Sequence, residues 1–227
     1  VSWQSTAIYY SAINTEIAAR RGKHHSARII LSSIDFEELL ELWDAERWDD
    51  VKALLCAAAR TIERAGADCL LLCANSIHKY SDAVESAVRI PLLHIVDSAA
   101  KHLRSRRVTT VGLLGTRYTM EGEFFRQRLE RHGIRAVVPE AAARQRLHQI
   151  IFDELVLGTV RERSQLDCAA MMRDLVANGA QAILLGCTEL PLLVTGDGFD
   201  VPVLDTAAMH ALDAVDFALR GAGEVNP

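Results

Sequence analysis

The chain has 227 residues, half of them apolar, with a formal charge of −5 and a pI near 5.9. That length and apolar content suffice for one large α/β domain or two small ones. Charges of both signs are interspersed, which excludes a basic stripe for nucleic acid and a polybasic patch for anionic lipid, so a small molecule or a second subunit is the expected partner.

No apolar run approaches the roughly 20 residues that span a bilayer, and Val1-Ser2-Trp3-Gln4 lacks the charged and apolar regions of a signal peptide. A cytoplasmic location is therefore expected. The five cysteines, Cys56, Cys69, Cys73, Cys168 and Cys187, form an odd set without a Cys-x-x-Cys pair, which points to reduced thiols. Cys69, Cys73 and His78 do not have a zinc spacing, and no metal is implied.

In chain order, periodic apolar faces predict helices over 5–20, 49–64, 82–88, 119–132, 145–160, 165–178 and 206–220. Short apolar runs predict strands at 28–31, 69–72, 92–95, 108–114, 136–138, 182–185 and 201–204. The alternation predicts an α/β fold with parallel sheets flanked by helices.

One strand-to-loop sequence occurs twice without a gap, as 66–76 (GADCLLLCANS) and 179–189 (GAQAILLGCTE). Ile90-Pro91-Leu92-Leu93 with Asp97-Ser98-Ala99-Ala100 likewise recurs as Val201-Pro202-Val203-Leu204 with Asp205-Thr206-Ala207-Ala208. The repeat predicts two pseudo-symmetric lobes, 1–97 with 206–227 and 98–205, in which Asp97 and Asp205 act as helix N-caps. A strand at 108–114 opens the second lobe, so symmetry places a counterpart of roughly ten residues immediately before Val1.

Ligands of open parallel sheets bind beyond the carboxyl ends of strands, where both copies carry their polar residues. Asn75, Ser76 and His78 follow one strand, and Cys187, Thr188 and Glu189 follow its counterpart. Amides and hydroxyls at these turns suit a carboxylate. Cys187 stands at a strand end between Gly186 and Thr188, a setting for a working thiol rather than a core cysteine. Asn75 and Ser76 are candidate ligands or plain turn residues. His78 either orients a side chain, moves a proton or is a structural hydrogen-bonding group beside a helix start. Glu189 either orients or polarises the site or caps the next turn. Thr116, Tyr118 and Thr119 follow the strand at 108–114, where hydroxyls would complete the cradle, Thr119 being alternatively a helix cap.

These motifs resemble the aspartate/glutamate racemase superfamily. Val1-Ser2-Trp3-Gln4-Ser5-Thr6 is similar to the family's Gly-Gly-Met-Ser-Trp-Glu-Ser-Thr start without its glycines, Asn75-Ser76-Ile77-His78 to Asn-Thr-x-His, and Gly186-Cys187-Thr188-Glu189 matches Gly-Cys-Thr-Glu. Leu113-Leu114-Gly115-Thr116-Arg117-Tyr118-Thr119-Met120 and His24-His25-Ser26-Ala27 resemble the broad-specificity branch. The resemblance implies two pseudo-symmetric lobes with the active site between them, a homodimer, no cofactor, and racemisation by two bases. It also implies that Ser2, Asn75, Ser76, Thr116, Thr119 and Thr188 bind the substrate.

Family members place a cysteine, or in some broad-specificity members a threonine, where this chain has Ala74. Cys187 is thus the retained base, and Ala74 marks the position of the missing one. Cys73 is one residue away, on the opposite face of an extended strand. The arginine and lysine with which aspartate-specific relatives hold a side-chain carboxylate are missing near 32–36 and 155–158, so a neutral or polar amino acid is the expected substrate. The alternatives are a one-thiol decarboxylase of the same superfamily and an inactive or engineered carboxylate-binding homologue.

Overall fold

The computed structural model describes residues 2–22, 24–194 and 199–221. The chain divides into two compact units, Val1–His94 with His210–Pro227, and Ile95–Met209. The strand expected before Val1 lies outside the described residues.

The first unit begins with α1 (Trp3–Arg21), which Ser2 caps by accepting from the Ser5 amide at 3.2 Å. Next come α2 (Phe36–Asp44) and α3 (Trp48–Arg64), then β1 (Leu70–Leu71), a 3-10 turn (Ser76–Tyr80), α4 (Ser81–Ala87) and β2 (Leu92–Leu93). β1 and β2 pair in parallel, Leu70 with Leu92 and Leu71 with Leu93. Leu39 and Trp43 of α2, Val51, Leu55 and Ala59 of α3, and Val84 of α4 are buried. Trp43 donates its indole N–H to Tyr80 Oη at 3.1 Å, so the polar handle of a buried ring is satisfied.

The second unit runs α5 (Ile95–Ser105), β3 (Thr110–Gly115), α6 (Arg117–Glu121), α7 (Glu123–Arg131), β4 (Arg135–Val137), α8 (Ala141–Ile150) with a wider π turn (Ile151–Leu155), α9 (Glu162–Ala177), β5 (Ile183–Gly186), a 3-10 turn (Leu190–Leu193) and β6 (Val203–Asp205). Its last helix, α10 (Thr206–Gly221), passes into the first unit from His210 onward. The sheet is wholly parallel in the order β4-β3-β5-β6.

Alternation along the strands builds a core on each face of that sheet. Leu114, Ile183 and Leu185 pack with Leu147, Met172 and Leu175 on one side. Leu113, Ala182 and Leu184 pack with Val96, Leu103 and Phe125 on the other.

Several expectations are corrected. Residues 25–35 run without regular structure, so the strand expected at 28–31 is not formed, and Ile30 and Leu31 are exposed. An apolar run becomes a strand only with a hydrogen-bonding neighbour. The helix expected over 119–132 is two helices that break at Gly122, where a Cβ would lie 2.4 Å from the Tyr118 carbonyl oxygen. That segment starts at Arg117, so Thr119 lies inside α6 and does not cap it.

The helix expected over 145–160 starts at Ala141, and its helical geometry ends with the π turn at Leu155. α5 starts at Ile95, so Asp97 sits in its first turn. Its carboxylate accepts from Arg128 at 2.7 and 2.8 Å and meets His132 Nε2 at 2.8 Å, an inter-helix role in place of the expected cap. Asp205 does cap, accepting the Ala207 amide at 2.8 Å. α2 was not expected, although Asp35 announces it by accepting the Glu37 and Glu38 amides at 2.9 and 3.4 Å.

Candidate active site

In the second unit the chain leaves β5 at Gly186 beside Gly115, its register partner on β3. A Cβ on Gly186 would lie 3.0 Å from the Leu114 carbonyl oxygen, and one on Gly115 would lie 3.0 Å from that of Gly186. Thr119 packs over both glycines, 3.1 Å from each such position. Thr119 is buried, and its hydroxyl meets that of Thr116 at 3.3 Å. Two strand ends without side chains thus approach each other closely under a threonine pair, and the chain turns out of the sheet there.

The next three residues, Cys187, Thr188 and Glu189, are all buried. Glu189 Oε2 accepts from the Cys187 thiol at 3.0 Å and from the Thr188 hydroxyl at 2.7 Å. One carboxylate oxygen therefore holds both groups, and the sequence alternative of a simple turn cap gives way to a direct thiol partner. Burial pushes the Cys187 thiol well above its ordinary range, Glu189 adds to the rise, and the Glu189 backbone amide opposes it. The thiol is protonated at neutral pH, with a proton acceptor already in hydrogen-bond contact.

Asp205, whose carboxyl is raised by burial, adds a smaller upward push on the same thiol. Behind it the Thr206 hydroxyl donates to the Leu185 carbonyl at 2.8 Å and ties α10 to β5. Sequence reasoning treated Asp205 as a cap alone. Its repeat position next to a strand end was the available signal.

In the first unit the chain leaves β1 through Cys73, Ala74 and Asn75 into the 3-10 turn. Ser5 of α1 donates its hydroxyl to the Cys73 carbonyl and so fastens the helix start to the strand end. Cys73 is half-buried, and desolvation pushes its thiol up to about 11, so it is a poor acid-base group. Ala74 offers only a methyl group. Asn75 is 5% exposed, and both polar atoms of its side-chain amide are buried without a hydrogen-bond partner among the described residues. Such a group is costly unless a ligand or an ordered water satisfies it. Ser76 opens the turn half-buried.

His78 is 1% exposed, and its Nδ1 lies 2.8 Å from the Ala74 carbonyl oxygen. A carbonyl only accepts, so Nδ1 carries the proton and donates it. Its ring meets those of His94 and His210, with centroids 4.5 and 5.7 Å away. His210 Nε2 lies 2.7 Å from the Leu93 carbonyl oxygen, which fixes the proton on Nε2 and leaves Nδ1 to accept from the Tyr9 hydroxyl at 2.8 Å. Burial lowers His210 to about 4. Sequence reasoning missed Tyr9, His94 and His210, because each belongs to a different element and carries no local motif.

Among the described residues, no group of three or more His, Cys, Asp or Glu side chains is arranged to hold a metal ion, and no helix is long and apolar enough to cross a membrane.

Comparison with known proteins places this geometry. The chain is 23% identical over 171 residues to the broad specificity amino-acid racemase RacX of Bacillus subtilis (strain 168), covering 74% of this chain and 72% of that one. A candidate Asp/Glu racemase from Yersinia pestis superposes with a TM-score of 0.91 at 43% identity, covering 96% of this chain and 95% of the other. An aspartate racemase homologue from Pyrococcus horikoshii OT3 gives 0.83 at 32% identity with the same coverage. The model of the Asp/Glu/hydantoin racemase family matches residues 1–214. With two α/β units, a repeated strand end and a cysteine at the close of β5, the chain belongs to the Asp/Glu/hydantoin racemase family.

Proposed function

We propose that the protein is a cofactor-independent amino-acid racemase or epimerase that acts by proton transfer at Cα of neutral or polar amino acids, with one of the two usual bases missing. The observation that carries this reading is the buried Cys187 thiol in hydrogen-bond contact with the Glu189 carboxylate. As substrate binds, the thiol proton passes to Glu189 Oε2. The thiolate takes the α-proton, and the bonding pair moves into the substrate carboxyl group as an enediolate. The reverse transfer returns a proton to Cα and restores the carbanion pair to a C–H bond.

Asn75, whose buried amide has no partner among the described residues, and Ser76 recognise the carboxylate. Ser2, Thr116, Thr119 and Thr188 complete recognition, with Thr188 acting through Glu189, to which its hydroxyl already donates. The methyl of Ala74 transfers no proton, and His78 beside it donates its Nδ1 proton to the Ala74 backbone carbonyl. The expected chemistry is α-proton exchange of one enantiomer with little inversion. Action as a cytoplasmic homodimer belongs to the same proposal.

Ala74 also fits a one-thiol decarboxylase, which protonates a planar intermediate from one side. One experiment separates the readings. Each enantiomer of an amino-acid panel is incubated in heavy water, and Cα deuteration and optical purity are followed separately. Exchange of one enantiomer, lost in Cys187→Ser, supports the one-base racemase, and Ala74→Thr or Ala74→Cys should then raise inversion. Equal, rapid inversion of both enantiomers by the unaltered chain refutes the missing base. CO2 release from a 2-substituted malonate without amino-acid exchange moves the assignment to the decarboxylase.

A further inference from the structure

We infer that His78 is a positioning residue that fixes the backbone of Asn75. The inference rests on the reading of Asn75 as the carboxylate-binding group. His78 grips two successive carbonyls, since its Nδ1–H donates to Ala74 O at 2.8 Å and its backbone N–H donates to Asn75 O at 3.2 Å. Those oxygens belong to the peptide planes on either side of the Asn75 Cα. Holding both planes fixes φ and ψ of Asn75, here −69° and −50°. The Asn75 amide itself has no hydrogen-bond partner among the described residues, so its placement depends on that backbone.

The gripping ring is in turn held from three other elements. It lies edge-on against His94, which follows β2, and against His210 of α10, and His210 is pinned at both nitrogens by Tyr9 of α1 and the Leu93 carbonyl. A buried imidazole cluster thus transmits the packing of α1, β2 and α10 to a single turn. In a ligand site of this kind, precision comes from the residues that lock the contacting group.

The test compares His78→Leu, which keeps bulk but removes the donor, with His78→Asn, which restores an amide N–H near the place of Nδ1. The first measurement is backbone amide hydrogen exchange over residues 73–80 in the ligand-free protein. His78→Leu should raise it about tenfold, the equivalent of one lost buried hydrogen bond, and His78→Asn should restore it to within about threefold. The second is an NMR titration of the Asn75 side-chain amide with L- and D-alanine, with alaninamide as the control lacking a carboxylate. Alanine affinity should fall about tenfold in His78→Leu and recover in His78→Asn.

Unchanged exchange in His78→Leu overturns the positioning role, as does unchanged alanine affinity. If alanine fails to move the Asn75 signal even in the unaltered protein, the carboxylate reading fails, and the exchange measurement alone decides whether His78 fixes the turn.

Discussion

Protonation of His210 should destabilise the first unit. Buried among Tyr9, His78 and the Leu93 carbonyl, His210 is held neutral, its pKa lowered from 6.5 to about 4 mainly by burial. Between those values the unfolded chain binds a proton that the folded chain refuses, so this stabilising term is fully present above pH 6.5 and is lost as pH falls toward 4. A lowering of about 2.5 units removes about 2 kcal/mol by pH 5 and about 3 kcal/mol by pH 4.

The three tryptophans, Trp3, Trp43 and Trp48, all lie in the first unit, so urea unfolding followed by tryptophan fluorescence reads that unit alone. His210→Gln keeps an N–H for the Leu93 carbonyl and removes the titration. The expected result is that the unaltered protein loses about 2 kcal/mol more than the variant between pH 7.5 and pH 5. Equal losses in both proteins, or a His210 NMR titration centred near 6.5, would refute the reasoning.

Other outcomes follow from the same geometry. Glu189→Gln removes the acceptor of the thiol proton and should lower α-proton exchange by roughly 10²- to 10⁴-fold. In the same variant the Cys187 titration, read by the pH dependence of iodoacetamide alkylation, should move down because Glu189 is one cause of its elevation. Gly186→Ala puts a methyl group 3.0 Å from the Leu114 carbonyl oxygen and 3.1 Å from Thr119 Cγ2. It should cost roughly 1–3 kcal/mol, seen as a lower Tm. Asn75→Ala removes a buried amide that lacks a partner among the described residues, so thermal stability should hold or rise while alanine binding is lost. A large drop in Tm would show that the amide is structural.

How much was legible in the sequence depended on whether the signal was local. The gapless repeat located both strand ends, and the apolar run at 182–185 read as a strand, which it forms. The run at 28–31, equally short and with three apolar residues of its four, formed no strand, because its fate depends on a hydrogen-bonding neighbour that composition does not report. The break at Gly122 was also not read from the sequence; the residue is extended there, and a Cβ on it would meet the Tyr118 carbonyl. At the site, Cys187, Glu189, Asn75 and His78 were all marked by sequence position, but each carried two readings.

The sequence by itself determined the α/β alternation, the duplication, the placing of Cys187 at the end of β5 and the methyl at position 74. These follow from periodicity and residue identity, which are properties of the chain. Only the tertiary structure decided that Glu189 touches the thiol and that His78 spends its proton on the Ala74 carbonyl. It alone joined Tyr9, His94 and His210 behind that turn. Their positions span 201 residues between Tyr9 and His210, and hydrogen-bond partners are chosen by distance and burial, which the linear order of a chain does not encode.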